Sequence, residues 1–145
     1  MPLVYRAMTP DGDVPKVGAS ARALGVRVPP DPNADVELDE AGNVGPTGGG
    51  MSVAPAWRDL ELHRIPRRLE HIVPDATGSN RDQCWKMGEG PFREAAVDSR
   101  LTLRPDEAVN GEVVHGVIGP TSVMSLQDYQ TALAATRDEW TVDED

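Results

Sequence analysis

Arg6, Ser52 and Glu112 are the residues whose types and settings suit them to chemistry. Arg6 lies in the apolar run "LVYRAM", Leu3 to Met8. A charge inside such a run needs a partner, because burying it alone is costly. A phosphate gripped bidentately by the guanidinium is one partner, and a carboxylate from the acidic second half of the chain is another. Ser52 follows the run Gly48 to Gly50. Glycine lets backbone approach a ligand that any Cβ would hold off. Gly49 and Gly50 are therefore candidate binding positions, with Ser52 beside them to orient a ribose or a carboxylate. A pliable hairpin connection is the plain alternative. Glu112 heads the segment "EVVHGVIG". A carboxylate there could accept a hydrogen bond from a sugar hydroxyl and stabilise cationic character at an anomeric carbon. Its plain alternative is a solvated strand end.

Other reactive side chains carry blander expectations. Cys84 is the only cysteine, which excludes an intrachain disulfide and a cysteine-rich metal site. Beside Trp85 and without a neighbouring histidine, it reads as a small buried hydrophobe. His115 sits in an apolar strand and reads as a hydrogen-bonded core histidine rather than a general base. His63 and His71 have no acidic residue at metal-ligand spacing, so no metal is expected. The basic stretch "HRIPRR", residues 63–68, is flanked by Asp59, Glu61 and Glu70, which predicts internal ion pairing. Trp57 and Trp85 read as core aromatics. Neither GxxxxGK[ST] nor GxGxxG occurs.

The elements that must position these residues are mostly strands. Val4 and Tyr5 favour a first strand over Leu3 to Met8, and imperfect alternation predicts burial on both faces. Ser20 to Gly25 suits a short helix, with Ser20 as N-cap and Gly25 as stop, followed by a brief strand at 26–28. Val36 and Leu38 alternate with Glu37 and Asp39, as in a hairpin strand turning at Ala41-Gly42-Asn43. "MSVA" is a short strand closed by Pro55. Pro66 could occupy the first turn of a helix over "PRRLEHIV". "CWKM", "SRLTLR" and "EVVHGVIG" are later strands. "SLQDYQTALAATRDEW" is the clearest helix, with Ser125 as N-cap and Leu126, Tyr129, Leu133, Thr136 and Trp140 on one face. This order implies an α+β domain.

The chain has 145 residues, so one domain over 1–145 is expected, loop-rich because Gly and Pro number 14 and 13. Its formal net charge is −10. Residues 1–72 carry 8 Lys/Arg against 10 Asp/Glu, and residues 73–145 carry 6 against 14. Such a field repels phosphate backbones, so neither nucleic acid nor an anionic membrane is an expected partner. The start "MPLVYRAM" lacks a basic segment followed by a long apolar one, so residence in a cytoplasm is the expectation.

Taken together, "VYRAM", "GVRVPPD", "GPTGGGMSV" and the late strand "VVHGVIGP" leading into the final helix resemble the small ADP-ribosyltransferase-fold toxins delivered by type VI secretion. The resemblance covers most of the chain thinly, and "YRA" and "GGGMSV" are its specific parts. It implies a split β-sheet core with few short helices, one C-terminal helix and a cleft for NAD as substrate. Arg6 would hold the dinucleotide's phosphates or ribose, Gly49 and Gly50 would bind the cofactor beside Ser52, which would buttress the nicotinamide end, and Glu112 would be the catalytic carboxylate. It also implies a bacterial toxin carried into a target cell without a cleaved leader, with a cognate immunity protein in the producer. The sequence departs from the family's Ser-Thr-Ser with Ser52-Val53-Ala54. It also places Asn110 where the family has Glu or Gln two residues before the glutamate. These departures fit an alternative, a non-catalytic interaction module on the same fold.

Overall fold

The computed structural model describes residues 1–145. Its strands in chain order are β1 (Val4–Met8), β2 (Pro10–Asp11), β3 (Val14–Pro15), β4 (Asn43–Val44), β5 (Met51–Val53), β6 (Gln83–Met87), β7 (Ala95–Ala96), β8 (Leu101–Val109), β9 (Glu112–Pro120), β10 (Met124–Ser125) and β11 (Thr141–Val142). The single α-helix is α1 (Leu126–Ala134), and short 3-10 helices cover Trp57–Asp59, Arg67–Leu69 and Arg137–Glu139. The chain is α+β, as its pattern predicts.

Two antiparallel sheets carry the fold, one ordered β1-β6-β11 and the other β5-β9-β8-β7. A main-chain pair joins β1 to the residue after β5. The Tyr5 amide donates to the Ala54 carbonyl at 2.8 Å, and the Ala54 amide returns a bond to Tyr5 at 3.0 Å. All of β1 is buried. Val4 and Met8 enter the main core with Trp85 and Met87, while Tyr5 packs into a second cluster with Trp57, Ile65 and Cys84. That double burial explains the imperfect alternation of "LVYRAM".

Helix α1 starts where its cap predicts, with the Asp128 amide donating to Ser125 Oγ at 3.0 Å. It stops at Ala134, short of the expected Trp140. Thr136 Oγ1 donates to the Leu133 carbonyl at 2.7 Å and accepts from the Trp140 indole at 3.0 Å. This internal bond draws the chain off the helix and into β11, yet Tyr129, Leu133, Thr136 and Trp140 all stay buried.

Several expected elements are replaced. Ser20 to Gly25 is a series of turns, not a helix. The carbonyls of Ser20, Ala23 and Gly25 converge on Arg6 and accept bonds from its guanidinium. Residues 26–28 form no strand. The Gln130 side-chain amide pairs with both the amide and the carbonyl of Val26, taking the place of a neighbouring strand. The Val36 to Asp39 strand reduces to one bridge, Val36 with Gly49. Its turn is present, held by Asp39 Oδ1 accepting from the amides of Ala41 and Asn43. The helix expected from Pro66 is the single 3-10 turn Arg67–Leu69.

The glycine run has a structural explanation. A Cβ on Gly49 would lie 2.4 Å from the Asp35 carbonyl oxygen, and one on Gly50 would lie 2.6 Å from that of Ile118. The triple glycine lets its backbone squeeze between the 35–37 segment and β9. It cradles the protein's own chain.

Candidate functional site

The sheet junction builds the site. Pairing Tyr5 with Ala54 sets the next residue of β1, Arg6, beside the last turn of backbone before Ala54. Arg6 Nη1 donates to the Ser52 carbonyl at 2.8 Å. Nε and Nη2 donate to the Ala23 carbonyl at 3.1 and 3.0 Å, and Nη2 also reaches Ser20 and Gly25 at 3.3 Å. Arg6 is 5 % exposed and no carboxylate contacts its guanidinium. The carboxylate partner that the sequence offered is not the one used: main-chain carbonyls take the bonds. Burial lowers the Arg6 pKa to about 10, with the Asp35 charge pulling the other way. It is cationic at neutral pH.

Arg6 and Ser52 line one open cleft. Arg27, Asp35, Asp59, Glu61, Arg64 and His115 also line it. Arg27 grips Asp35 with both ends of its fork, at 2.8 and 3.2 Å. Arg64 makes no ion pair. The arginines 6, 27 and 64 balance the carboxylates of 35, 59 and 61, so the lining is formally neutral on a chain of net charge −10. An anion is repelled less here than elsewhere on the surface. Asp59 has its pKa raised, first by burial and then by the charge of Glu112.

The cleft excludes other predicted residues. Gly49 and Gly50 do not line it, because they are packed against Asp35 and Ile118. Glu112 does not line it either. It is exposed at the tip of the β8–β9 hairpin, opposite Val109, next to a turn in which Asn110 and Gly111 have φ of 53° and 82°. Asn110 therefore serves the hairpin turn. Comparison with protein-family models, curated proteins and solved structures gives no match.

His115 differs from its expectation. Its side chain is 25 % exposed and its Nδ1 lies 2.5 Å from Asp106 Oδ1. The sequence set acid–base work aside for it in favour of a core role, and Asp106 went unread, because a register break brings that carboxylate across the hairpin. Arg64 was also missed individually within "HRIPRR". Of that stretch, His63 pairs with Glu61 at 3.2 Å, while Arg68 pairs with Glu144 rather than Glu70, at 2.6 Å. Trp57 and Trp85 are buried and stand outside the cleft wall. Cys84 is buried, and its thiol is pushed up to about 12 by burial and then by Glu144. No group of three or more His, Cys, Asp and Glu side chains is placed to hold a metal ion, and no helix is long and apolar enough to cross a membrane.

Proposed function

We propose that the cleft binds NAD and that the chain is an ADP-ribosyltransferase-like toxin of the type VI effector kind. It would release nicotinamide and pass ADP-ribose to a macromolecule or to water. The observation that supports this reading most is the meeting of Arg6 with Ser52 in one cleft at the junction of two sheets. Two antiparallel sheets joined by the main-chain pair of Tyr5 with Ala54 suit the split-sheet core that the resemblance implies. In this reading Arg6 stiffens the wall, since four carbonyls hold it, and Nη1 keeps one N–H beyond its bond to Ser52. Arg64 is the free cation for the pyrophosphate. A producing cell would need an immunity protein that covers the cleft.

Calorimetric titration with NAD tests the reading. Binding is expected, weakened about tenfold in Arg64→Ala, the loss of one charge-assisted bond of about 1.5 kcal/mol. Absence of heat and of any rise in melting temperature at millimolar NAD would end it.

A second reading, an interaction module without turnover, is favoured by the hairpin tip. Glu112 stands there outside the cleft wall, between the exposed Val109 and Val113. It expects no nicotinamide release from NAD under any condition.

A further inference from the structure

The geometry points to His115 as the general base of the cleft, oriented by Asp106. The inference rests on the NAD reading and names a residue that reading does not supply. β9 places the ring. Ser52 pairs with Val117, and His115 lies two residues further along β9, so its side chain leaves the same face of the sheet. Arg6 and His115 thus line one cavity from two sheets.

β8 supplies the carboxylate. Pro105 pairs with Gly116 and Glu107 with His115, so Asp106 falls in a register break with no partner of its own. A bulge re-aims its side chain and bends the strand. Asp106 Oδ1 consequently lies 2.5 Å from His115 Nδ1. A carboxylate accepts there, so Nδ1 carries the hydrogen and Nε2 keeps its lone pair. The other charged groups around the cleft are Arg6 from β1, the locked pair Arg27 and Asp35, and Asp59, Glu61 and Arg64 from the segment after β5. None of these is hydrogen-bonded to the imidazole.

The step is balanced. The C1′–N bond of NAD breaks and nicotinamide leaves neutral with the bonding pair. Water oxygen bonds to C1′, and its proton passes to His115 Nε2 and then to solvent. The products are ADP-ribose, nicotinamide and a proton. An acceptor hydroxyl on a macromolecule replaces water in the transfer reaction.

Nicotinamide release and NAD affinity are to be measured across pH for the wild type, His115→Gln and Asp106→Asn, with melting curves as the check on folding. Loss of the base is expected to slow release by about 100-fold or more. NAD affinity should stay within about twofold, because neither residue supplies charge to the pyrophosphate. The acid limb of the rate profile should vanish in His115→Gln and move in Asp106→Asn, which a merely structural pair would not cause. Wild-type rate and profile in His115→Gln overturn the inference while leaving the NAD reading standing. NAD binding without release also overturns it, and absence of binding removes both. Should His115→Gln fail to fold, the Asp106→Asn profile decides alone: an unmoved acid limb overturns the inference.

Discussion

A guanidinium held by four main-chain carbonyls is a different object from one paired with a carboxylate. Arg6 organises Ser20, Ala23, Gly25 and Ser52 around itself. Lysine has three donors on a single point and lacks the planar fork. Arg6→Lys is therefore expected to leave buried carbonyls unpaired, at about 1–3 kcal/mol each. A urea midpoint lowered by the equivalent of about 2 kcal/mol, with an unchanged slope, would fit that expectation. A midpoint equal to the wild type would show that the carbonyls do not depend on the fork. Because Arg6 is structural, lost binding in its variants says little about contact with a ligand. Arg64, with no ion pair to lose, is the cleaner probe. The thiol of Cys84 allows a second residue-scale prediction. Burial raises its pKa, so the thiolate is scarce in the folded state. Reaction with a disulfide reagent should proceed only as fast as the protein opens, and rapid labelling under native conditions would contradict this.

At the scale of elements, the strands that positioned the site were legible wherever apolar residues decided the packing. β1, β5, β6 and β9 appear where short apolar stretches predict them, and β8 starts where predicted but runs past Arg104 to Val109. What was not legible was decided by a side chain bonding a distant backbone. Ser20 to Gly25 has a fair helix sequence, but Arg6 claims its carbonyls, and residues 26–28 lean on Gln130 across the fold. Local propensity cannot see either partner. The candidate site divides in the same way. Arg6 and Ser52 share the cleft, whereas Gly49, Gly50 and Glu112 stand outside its wall. For Glu112 the signal was present: Asn110-Gly111 is a strong hairpin marker, and it places the next residue at a tip. The glycines are separable by experiment. Gly111 has φ of 82° with nothing within 4 Å of an added Cβ, while Gly49 has φ of 86° with Asp35 oxygen at 2.4 Å. Gly111→Ala should cost about 1 kcal/mol of backbone strain. Gly49→Ala should cost several times as much, because backbone must move as well. Equal midpoints for the two variants would deny the close approach that explains the triple glycine.

Across the whole molecule, the acidic C-terminal residues are not a solvated tail. Asp143 accepts from Lys86 at 3.0 Å and from the Tyr5 hydroxyl at 2.9 Å, Glu144 pairs with Arg68, and the Asp145 carbonyl accepts from the Trp57 indole at 3.0 Å. Lys86, Tyr5, Arg68 and Trp57 belong to parts of the chain far from these acids in sequence, so the contacts close β1, β6 and β11 into one face. The pairing also answers part of the self-repulsion expected of a net charge of −10. It carries a definite pH signature. The Asp143 carboxyl is held below the ordinary aspartate range, first by Lys86. A depressed carboxylate contributes stability that is present above its unfolded pKa, about 3.9, and is lost as pH falls through the folded value. Tyr5 acts at the other end: burial and then Asp143 push its pKa up to about 12. Its contribution is complete below the unfolded value of about 10 and disappears as pH rises through the folded one. The stability difference between wild type and Asp143→Asn should therefore be widest near neutrality and close in acid. Lys86→Met should narrow it, since it removes the main cause of the depression. Both pairs are partly exposed, so about 1 M salt should shrink the neutral-pH difference as well. Urea midpoints of the wild type, both single variants and the double variant from acid to neutral pH measure this directly. A difference that holds constant with pH would mean that Asp143 stays in place through its neutral hydrogen bonds, and that charge has no part in fastening the C-terminal residues to β6.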